Sequence, residues 1–161
     1  MRYAQIRKTD VTNGQGFGIS LFVQGCHFHC SECFNQSTWD FNGGELFTSA
    51  TKELILSLIE RKKEYLSFFS VLGGEPLAPE NRAEVAKLLV AVHNDYPNLT
   101  LNLWTGYTLE ALLNMNDNDI NTILNLVDTI VDGRYEKEKR DITLKLRGSS
   151  NQRILHRGVD F

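Results

Sequence analysis

The sequence predicts an α/β fold, an open, partial TIM-like βα barrel of roughly four to five parallel strands. Three observations predict it. Short apolar stretches of strand character alternate with stretches of helical periodicity, the pattern of parallel βαβ units. Each of four strands runs straight into a loop of glycine and reactive side chains, as happens where a site gathers at the C-terminal edge of parallel strands. The chain has 161 residues, too few for a closed eight-stranded barrel, which takes about 250. One domain spanning 1–161 follows from that length.

The elements are predicted in order. Residues 1 to 17 are poorly patterned, with a turn at Asn13-Gly14-Gln15-Gly16. Residues 19–23 (Ile-Ser-Leu-Phe-Val) form a first strand. Residues 50 to 63 form a helix, with Leu54, Ile55, Leu58 and Ile59 on one face and Lys52, Glu53, Glu60 and Arg61 on the other. Residues 67–72 form a second strand, broken by Gly73-Gly74-Glu75-Pro76. A second helix is expected from about Pro79, which suits a helix start, to Tyr96, with Val85, Leu88, Leu89 and Val92 inward. Residues 99–104 alternate as a strand and lead to Thr105-Gly106-Tyr107. Two short helices over 108–114 and 117–126 have Thr108 and Asp117 as caps. Residues 127–131 form a fourth strand ending in Asp132-Gly133-Arg134, 135–141 a solvated loop, and 142–146 a last short strand.

Composition narrows the function classes. An apolar content of 42% and a charged content of 23% are those of an ordinary soluble protein. A net charge of -3 argues against a nucleic-acid or membrane surface. The N-terminus has no apolar signal core and no run approaches the length of a membrane span. An odd number of cysteines without such a signal fits a reducing compartment and a cytoplasmic protein.

All three cysteines, Cys26, Cys30 and Cys33, fall in one eight-residue stretch with the spacing C-x3-C-x2-C. Random placement would cluster them so tightly roughly one time in 200. Soft thiolates close together suit an iron–sulfur cluster or zinc. A cubane takes four ligands, so three thiolates leave one iron open. A structural zinc wants four ligands, and His27 and His29 stand within the stretch. Cluster, zinc and plain buried thiols all remain open on spacing. The histidines are either ligands or polar loop residues. Glu75 is either a ligand-binding carboxylate or a turn residue at the surface. Arg134, Arg147 and Arg153 are either carboxylate or partner contacts, or ordinary surface arginines. Phe22, Phe68, Phe69 and Trp104 lie on strands, where core packing is the default.

The cysteine stretch resembles the cluster motif of the radical S-adenosylmethionine enzymes, and Gly73-Gly74-Glu75-Pro76 resembles their second signature. Cys33-Phe34-Asn35 with Ser37-Thr38-Trp39, then 103–107, 131–133 and 147–153, resemble the activases of anaerobic ribonucleoside-triphosphate reductase. The resemblance runs from about Asn13 to Arg153. It implies a [4Fe-4S] cluster on Cys26, Cys30 and Cys33, with S-adenosylmethionine on the open iron. Reductive cleavage there would generate a 5′-deoxyadenosyl radical that takes hydrogen from a glycine of the reductase's large subunit. Gly73 and Gly74 would admit the methionine end of the ligand, and Glu75 would accept a hydrogen bond from its amino group. Backbone groups of Glu32, Cys33 and Phe34 would read the adenine. Many superfamily members carry an aromatic residue just before the third cysteine; here Glu32 stands there and the aromatic, Phe34, follows it. The resemblance further implies reduced flavodoxin or a similar donor as the electron source. The rival readings are a small-molecule enzyme of the same superfamily and a non-catalytic zinc-binding interaction module.

Overall fold

The computed structural model describes residues 1–161. Seven strands form one open sheet in the order β3-β1-β2-β4-β5-β6-β7. They are β1 (Arg2–Asp10), β2 (Gly18–Gln24), β3 (Glu45–Leu46), β4 (Phe68–Gly73), β5 (Thr100–Trp104), β6 (Thr129–Asp132) and β7 (Arg153–His156). The central β2, β4, β5 and β6 run parallel, neighbours in chain order. The expected α/β class and its parallel block are therefore present. Of the expected partial TIM-like barrel the sheet shows the four parallel strands and the open form: antiparallel β1 and β3 extend one edge and antiparallel β7 the other, and no pairing joins the two edges, so no barrel closes.

Two stretches depart from expectation. Residues 1–17, unpatterned in sequence, contain the longest strand, β1. Two register shifts against β2, between Tyr3 and Gln5 and between Arg7 and Asp10, break the alternation that would have revealed it. Residues 142–146 are no strand. Asp141 turns the chain by accepting the Thr143 N–H (2.9 Å) and hydroxyl (2.6 Å), Ile142 is 80% exposed, and Leu146 takes a positive φ of 61°. The last strand instead begins at Arg153, the end of a polar, loop-like segment.

The helices α1 (Ser49–Lys62), α2 (Arg82–Asp95), α3 (Leu109–Asn114) and α4 (Asn118–Leu126) lie close to where periodicity put them. Thr48 and Thr51 form a reciprocal capping box on α1. Thr108 and Asp117 cap α3 and α4 as expected. Only α2 starts late, at Arg82 rather than near Pro79. Its preceding residue, Asn81, is buried, and its amide donates to the carbonyls of Gln24 (3.0 Å) and Glu75 (2.9 Å) instead of capping the helix.

Strand alternation divides the sheet into two faces. Ile19, Leu21, Val23, Phe69, Val71, Leu101, Leu103 and Ile130 pack with residues of all four helices in one cluster of 24 buried apolar side chains. The intervening residues form the opposite face. Toward its lower end this face is polar: Ser20 donates to Asp10 (2.6 Å), Asn102 to Ser70 Oγ (3.1 Å), and Ser70 to the carbonyl of Asn13 (2.6 Å). Phe68 also belongs to this face, and Gly14 and Gly18 lie against its ring, where a Cβ would come within 2.5 Å and 2.3 Å. The loop before β2 thus closes the lower end. At the upper end Phe22, Leu72 and Trp104 line a cavity. No helix is long and apolar enough to cross a membrane.

Asp10 anchors the polar end. Burial alone would raise its carboxyl pKa, but donors from Ser20, the Thr12 backbone and hydroxyl, and Asn13 outweigh burial and hold it at about 2, against an ordinary 3.8. Stability from this site is complete above the unfolded value and is lost as pH falls through the folded one. Asp10→Asn should lower the urea midpoint at neutral pH and flatten its decline between about pH 4 and about pH 2. A variant with the wild-type acid limb would show that Asp10 does not carry it.

Candidate functional site

Cys26, Cys30 and Cys33 sit on the loop that leaves β2, all half-buried and all lining one cavity of about 480 Å³. Gly73, Gly74 and Glu75, after β4, line the same cavity, as do Phe34, Thr105, Gly106, Gly133 and Arg134. The loops following four strands therefore do converge, as the βα pattern required. Of the residues that the family resemblance assigns to the cluster and its ligand, Glu32 alone stays off the cavity wall. Its side chain turns outward to pair with Lys137, and its backbone takes a positive φ of 55°.

Backbone bonds shape the cysteine loop. Gly25 N–H donates to Thr38 O (2.7 Å), Cys26 N–H to Trp39 O (3.1 Å), and Cys33 N–H to Cys30 O (3.1 Å). Gly25 has a φ of 96°, and Phe41 lies where its Cβ would stand, 2.1 Å away. Burial pushes the thiols of Cys26 and Cys30 upward. At Cys30 the neighbouring Cys33 adds to this and Arg134 opposes it. The pair is thus held as neutral thiols until a positive group takes the place of the protons.

Glu75 is neither exposed nor a simple turn residue. It is 2% exposed, and its carboxylate accepts from Leu77 N–H (2.9 Å), Thr105 Oγ1 (2.8 Å) and Gly106 N–H (2.7 Å). Burial drives its pKa up to about 7 against the pull of those donors. The adjacent glycines are required by neighbouring chain. A Cβ on Gly73, whose φ is 105°, would come within 2.8 Å of Val23 O, and one on Gly74 within 2.4 Å of Gly25 O. The N–H groups of Gly74 and Glu75 donate to those same two carbonyls, at 2.9 Å and 2.8 Å.

His27 and His29 do not line the cavity. His27 bonds Glu80 (2.9 Å) and packs on Phe41, and His29 stacks on Trp39 with ring centres 4.7 Å apart. No three His, Cys, Asp or Glu side chains are gathered tightly enough for one metal ion.

The three arginines have separate fates. Arg134 and Arg147 line the cavity, joined by Arg7 from β1. Arg134 lies over the Phe28 ring at 4.3 Å and Arg7 over Phe22 at 4.6 Å. Arg153 is spent inside the fold, on Asp132 (2.9 and 2.5 Å) and Glu110 (2.9 and 2.8 Å). Asp132 Oδ2 also accepts the Leu109 N–H at 2.8 Å, so this network fixes the start of α3. Sequence reasoning missed Arg7, Phe28, Tyr135 and Gln152 as cavity residues. Phe28 had one available signal, the glycine at 106, where a Cβ would strike its ring at 2.4 Å. Gln152 acts through the backbone: it accepts from Gly148 N–H (2.9 Å) and donates to Gly133 O (3.0 Å).

The chain is similar to known proteins along nearly its whole length. Residues 12–155 match the 4Fe-4S single cluster domain family. The chain is 41% identical over 156 residues to the anaerobic ribonucleoside-triphosphate reductase-activating protein of Enterobacteria phage T4, covering 96% of this chain and 93% of the relative. It is 36% identical over 157 residues to the protein of that name from Vibrio cholerae, covering 98% of each. With the one from Escherichia coli strain K12 the identity is 35% over 156 residues, 97% of this chain and 99% of the relative.

Two substitutions test the loop architecture. Gly74→Ala should force the cysteine loop away from the 73–75 turn and lower unfolding stability by about 2 kcal/mol or more. Glu75→Ala should cost about 3 kcal/mol, since it strands two backbone N–H groups and a hydroxyl in a buried place. Urea unfolding of the metal-free proteins reads both, and wild-type midpoints would refute the packing roles of Gly74 and Glu75.

Proposed function

We propose, since this chain belongs to the family of anaerobic ribonucleoside-triphosphate reductase-activating proteins and to the 4Fe-4S single cluster domains, that it is a radical S-adenosylmethionine activase of such a reductase. The observation that carries the reading is the placing of Cys26, Cys30 and Cys33 on the same cavity as Gly73, Gly74 and Glu75. The three thiolates would hold a [4Fe-4S] cluster and leave one iron for the ligand. When bound and reduced, that group supplies an electron to S-adenosylmethionine, which cleaves to methionine and a 5′-deoxyadenosyl radical.

The chain's own residues do the binding and positioning. Gly73 and Gly74 give the methionine end an approach free of side chains. Glu75 already accepts three protein hydrogen bonds, so its main work is to hold the 73–75 and 105–106 loops together. Its Oε2 takes only one of them and has a lone pair left for the ligand's amino group. Arg134 and Arg147 set positive charge at the wall for the ligand's carboxylate. Phe34 and Tyr135, with ring centres 5.2 Å apart, provide an aromatic flank for the adenine. The Cys33 N–H is taken by Cys30 O at 3.1 Å. Reading of the adenine edge therefore falls to the backbone of Glu32 and Phe34 and to the Cys33 carbonyl.

The substrate is a glycine of the reductase's large subunit. Its radical is stabilised by flanking amides, so hydrogen transfer to a primary carbon radical is downhill. The electron comes from reduced flavodoxin or a similar donor in a reducing, cytoplasmic setting, and 1–161 acts as one radical S-adenosylmethionine domain.

Anaerobically reconstituted protein should be brown and carry about four irons and four sulfides per chain. With dithionite, S-adenosylmethionine and the reductase it should generate a glycyl radical seen by electron paramagnetic resonance. Cys26→Ala, Cys30→Ala and Cys33→Ala should each abolish S-adenosylmethionine cleavage. Colourless protein with stoichiometric zinc, or full cleavage by Cys30→Ala, would overturn the reading.

A further inference from the structure

We propose that residues 134–147, the segment that leaves β6 and straps the cavity mouth, form the surface on which the reductase docks, through an acidic face that carries apolar side chains. The inference rests on the functional reading above and names where that partner is held.

Three independent features of the segment point the same way. The first is charge. It carries six cations (Arg134, Lys137, Lys139, Arg140, Lys145 and Arg147) and three acids (Glu136, Glu138 and Asp141), a local +3 in a chain of net charge -3. Lys137 is matched by Glu32 and Lys139 by Glu136. Arg134, Arg140, Lys145 and Arg147 have no carboxylate partner within the chain. Arg134 and Arg140 rest instead on the rings of Phe28 and Phe34. Arg134 and Arg147 face the cavity and its ligand, whereas Arg140 and Lys145 lie off the cavity wall and, without counter-charges, attract an acidic partner and speed its encounter.

The second feature is apolar exposure. Ile142 is 80% exposed and Phe34, against which the strap packs, is 59% exposed. Both also line the cavity, so they mark its rim. Large apolar side chains beside unpaired arginines are the composition of an interface centre. The third feature is unmet hydrogen bonding. Tyr135 Oη and Arg147 Nε are shielded from solvent yet bond nothing in the chain, and both residues line the cavity. Buried polar groups are hydrogen-bonded in the large majority of cases, to protein or to ordered water, so these two atoms leave the strap incomplete in the chain alone.

The location selects the occupant. A glycine inside a large partner can reach the cavity only if the partner's surface lies against the mouth, and the strap forms one lip of it. The helix layer covers the other face of the sheet; there Lys63 pairs with Glu60 and Lys87 with Glu84, and the unpaired cations Lys52, Arg61 and Lys62 are interspersed with the unpaired acids Glu53, Glu64, Asp95 and Asp119, so no excess of free positive charge is left. An acidic partner surface finds its match at the strap and not there.

The experiment uses a double charge reversal, Lys139→Glu with Lys145→Glu, at positions off the cavity wall. It turns the segment from +3 to -1. Reversal of Lys63 and Lys87, at the end of α1 and on α2, is the control with the same change in total charge. Reconstituted proteins are compared for affinity to the reductase, glycyl radical yield, and S-adenosylmethionine cleavage with dithionite and no partner. Reversal at the strap should weaken reductase binding roughly tenfold or more and flatten its dependence on salt, while the control binds as wild type and both cleave S-adenosylmethionine normally. Wild-type affinity in the strap variant, or equal weakening in the control, would overturn the assignment. Unchanged reductase binding with slower reduction by flavodoxin would give the surface to the electron donor and overturn it too. A wild-type chain that neither binds the reductase nor generates its radical would fail the functional reading itself, an outcome separate from these.

Discussion

The architecture depends on a buried carboxylate that takes its hydrogen bonds from a neighbouring loop. Glu75 joins the turn after β4 to the turn after β5 through Thr105 and Gly106, and closes its own turn through Leu77. The backbone beside it reaches the other way, to Val23 and Gly25 at the exit of β2, and Asn81 adds bonds to Gln24 and Glu75. Three loops that would otherwise be separate surface connections thus move as one body. Cys26 follows Gly25 directly, so the position of the first thiol is set from the far side of the cavity. A buried carboxylate carries a heavy desolvation cost, visible in its pKa of about 7. That cost is offset only while every donor stays in place. The tie is therefore cooperative.

The open sheet explains why the tie is needed. In a closed barrel each loop is braced by a neighbour on both sides. Here the parallel block ends at β6, and β1 and β7 turn antiparallel to finish the edges. All helices share the core on one face. The other face must be finished by side chains and loops. Its lower end uses a polar ladder with the loop before β2 pressed on Phe68; its upper end is left concave. Contacts between the cysteine loop and the strap, through Glu32–Lys137, Phe34–Tyr135 and the close approach of Phe34 to Gly148, bridge the top where a barrel would have had further strands.

What the sequence revealed of this follows physical lines. The parallel strands and the helices were legible because burial on one or both faces leaves a period in the residue types. The convergence of loops was legible from topology alone, and it brought the cysteines and 73–75 together without any knowledge of contacts. β1 was hidden because its two register shifts against β2 break its alternation. β7 was hidden because Arg153, its first residue, is a charged side chain held against Asp132 rather than an apolar one. Glu75 was placed correctly but its partners were not foreseen, since the backbone N–H of Gly106 and Leu77 leave no mark in residue types. The glycines at 73 and 74 suggest room for a ligand; the carbonyls of Val23 and Gly25 demand them first. Glu32, unexplained by any motif, proves to be a surface tether to Lys137.

A half-open site has a consequence for the proposed chemistry. A primary carbon radical reacts with most C–H bonds it meets, so the cavity has to be filled and dry when the radical is made. The chain alone cannot seal it, because Phe34 and Ile142 stand at the rim largely exposed. In the proposed complex the docked reductase supplies the missing wall. Burying that rim would contribute part of the association energy at about 25 cal/mol per Å² of apolar surface, and the same step would expel the water. Association and protection of the radical then become one event. The protein that must receive the hydrogen abstraction is also the one that makes abstraction selective, and a sheet left open on that side is the shape such a division of labour requires.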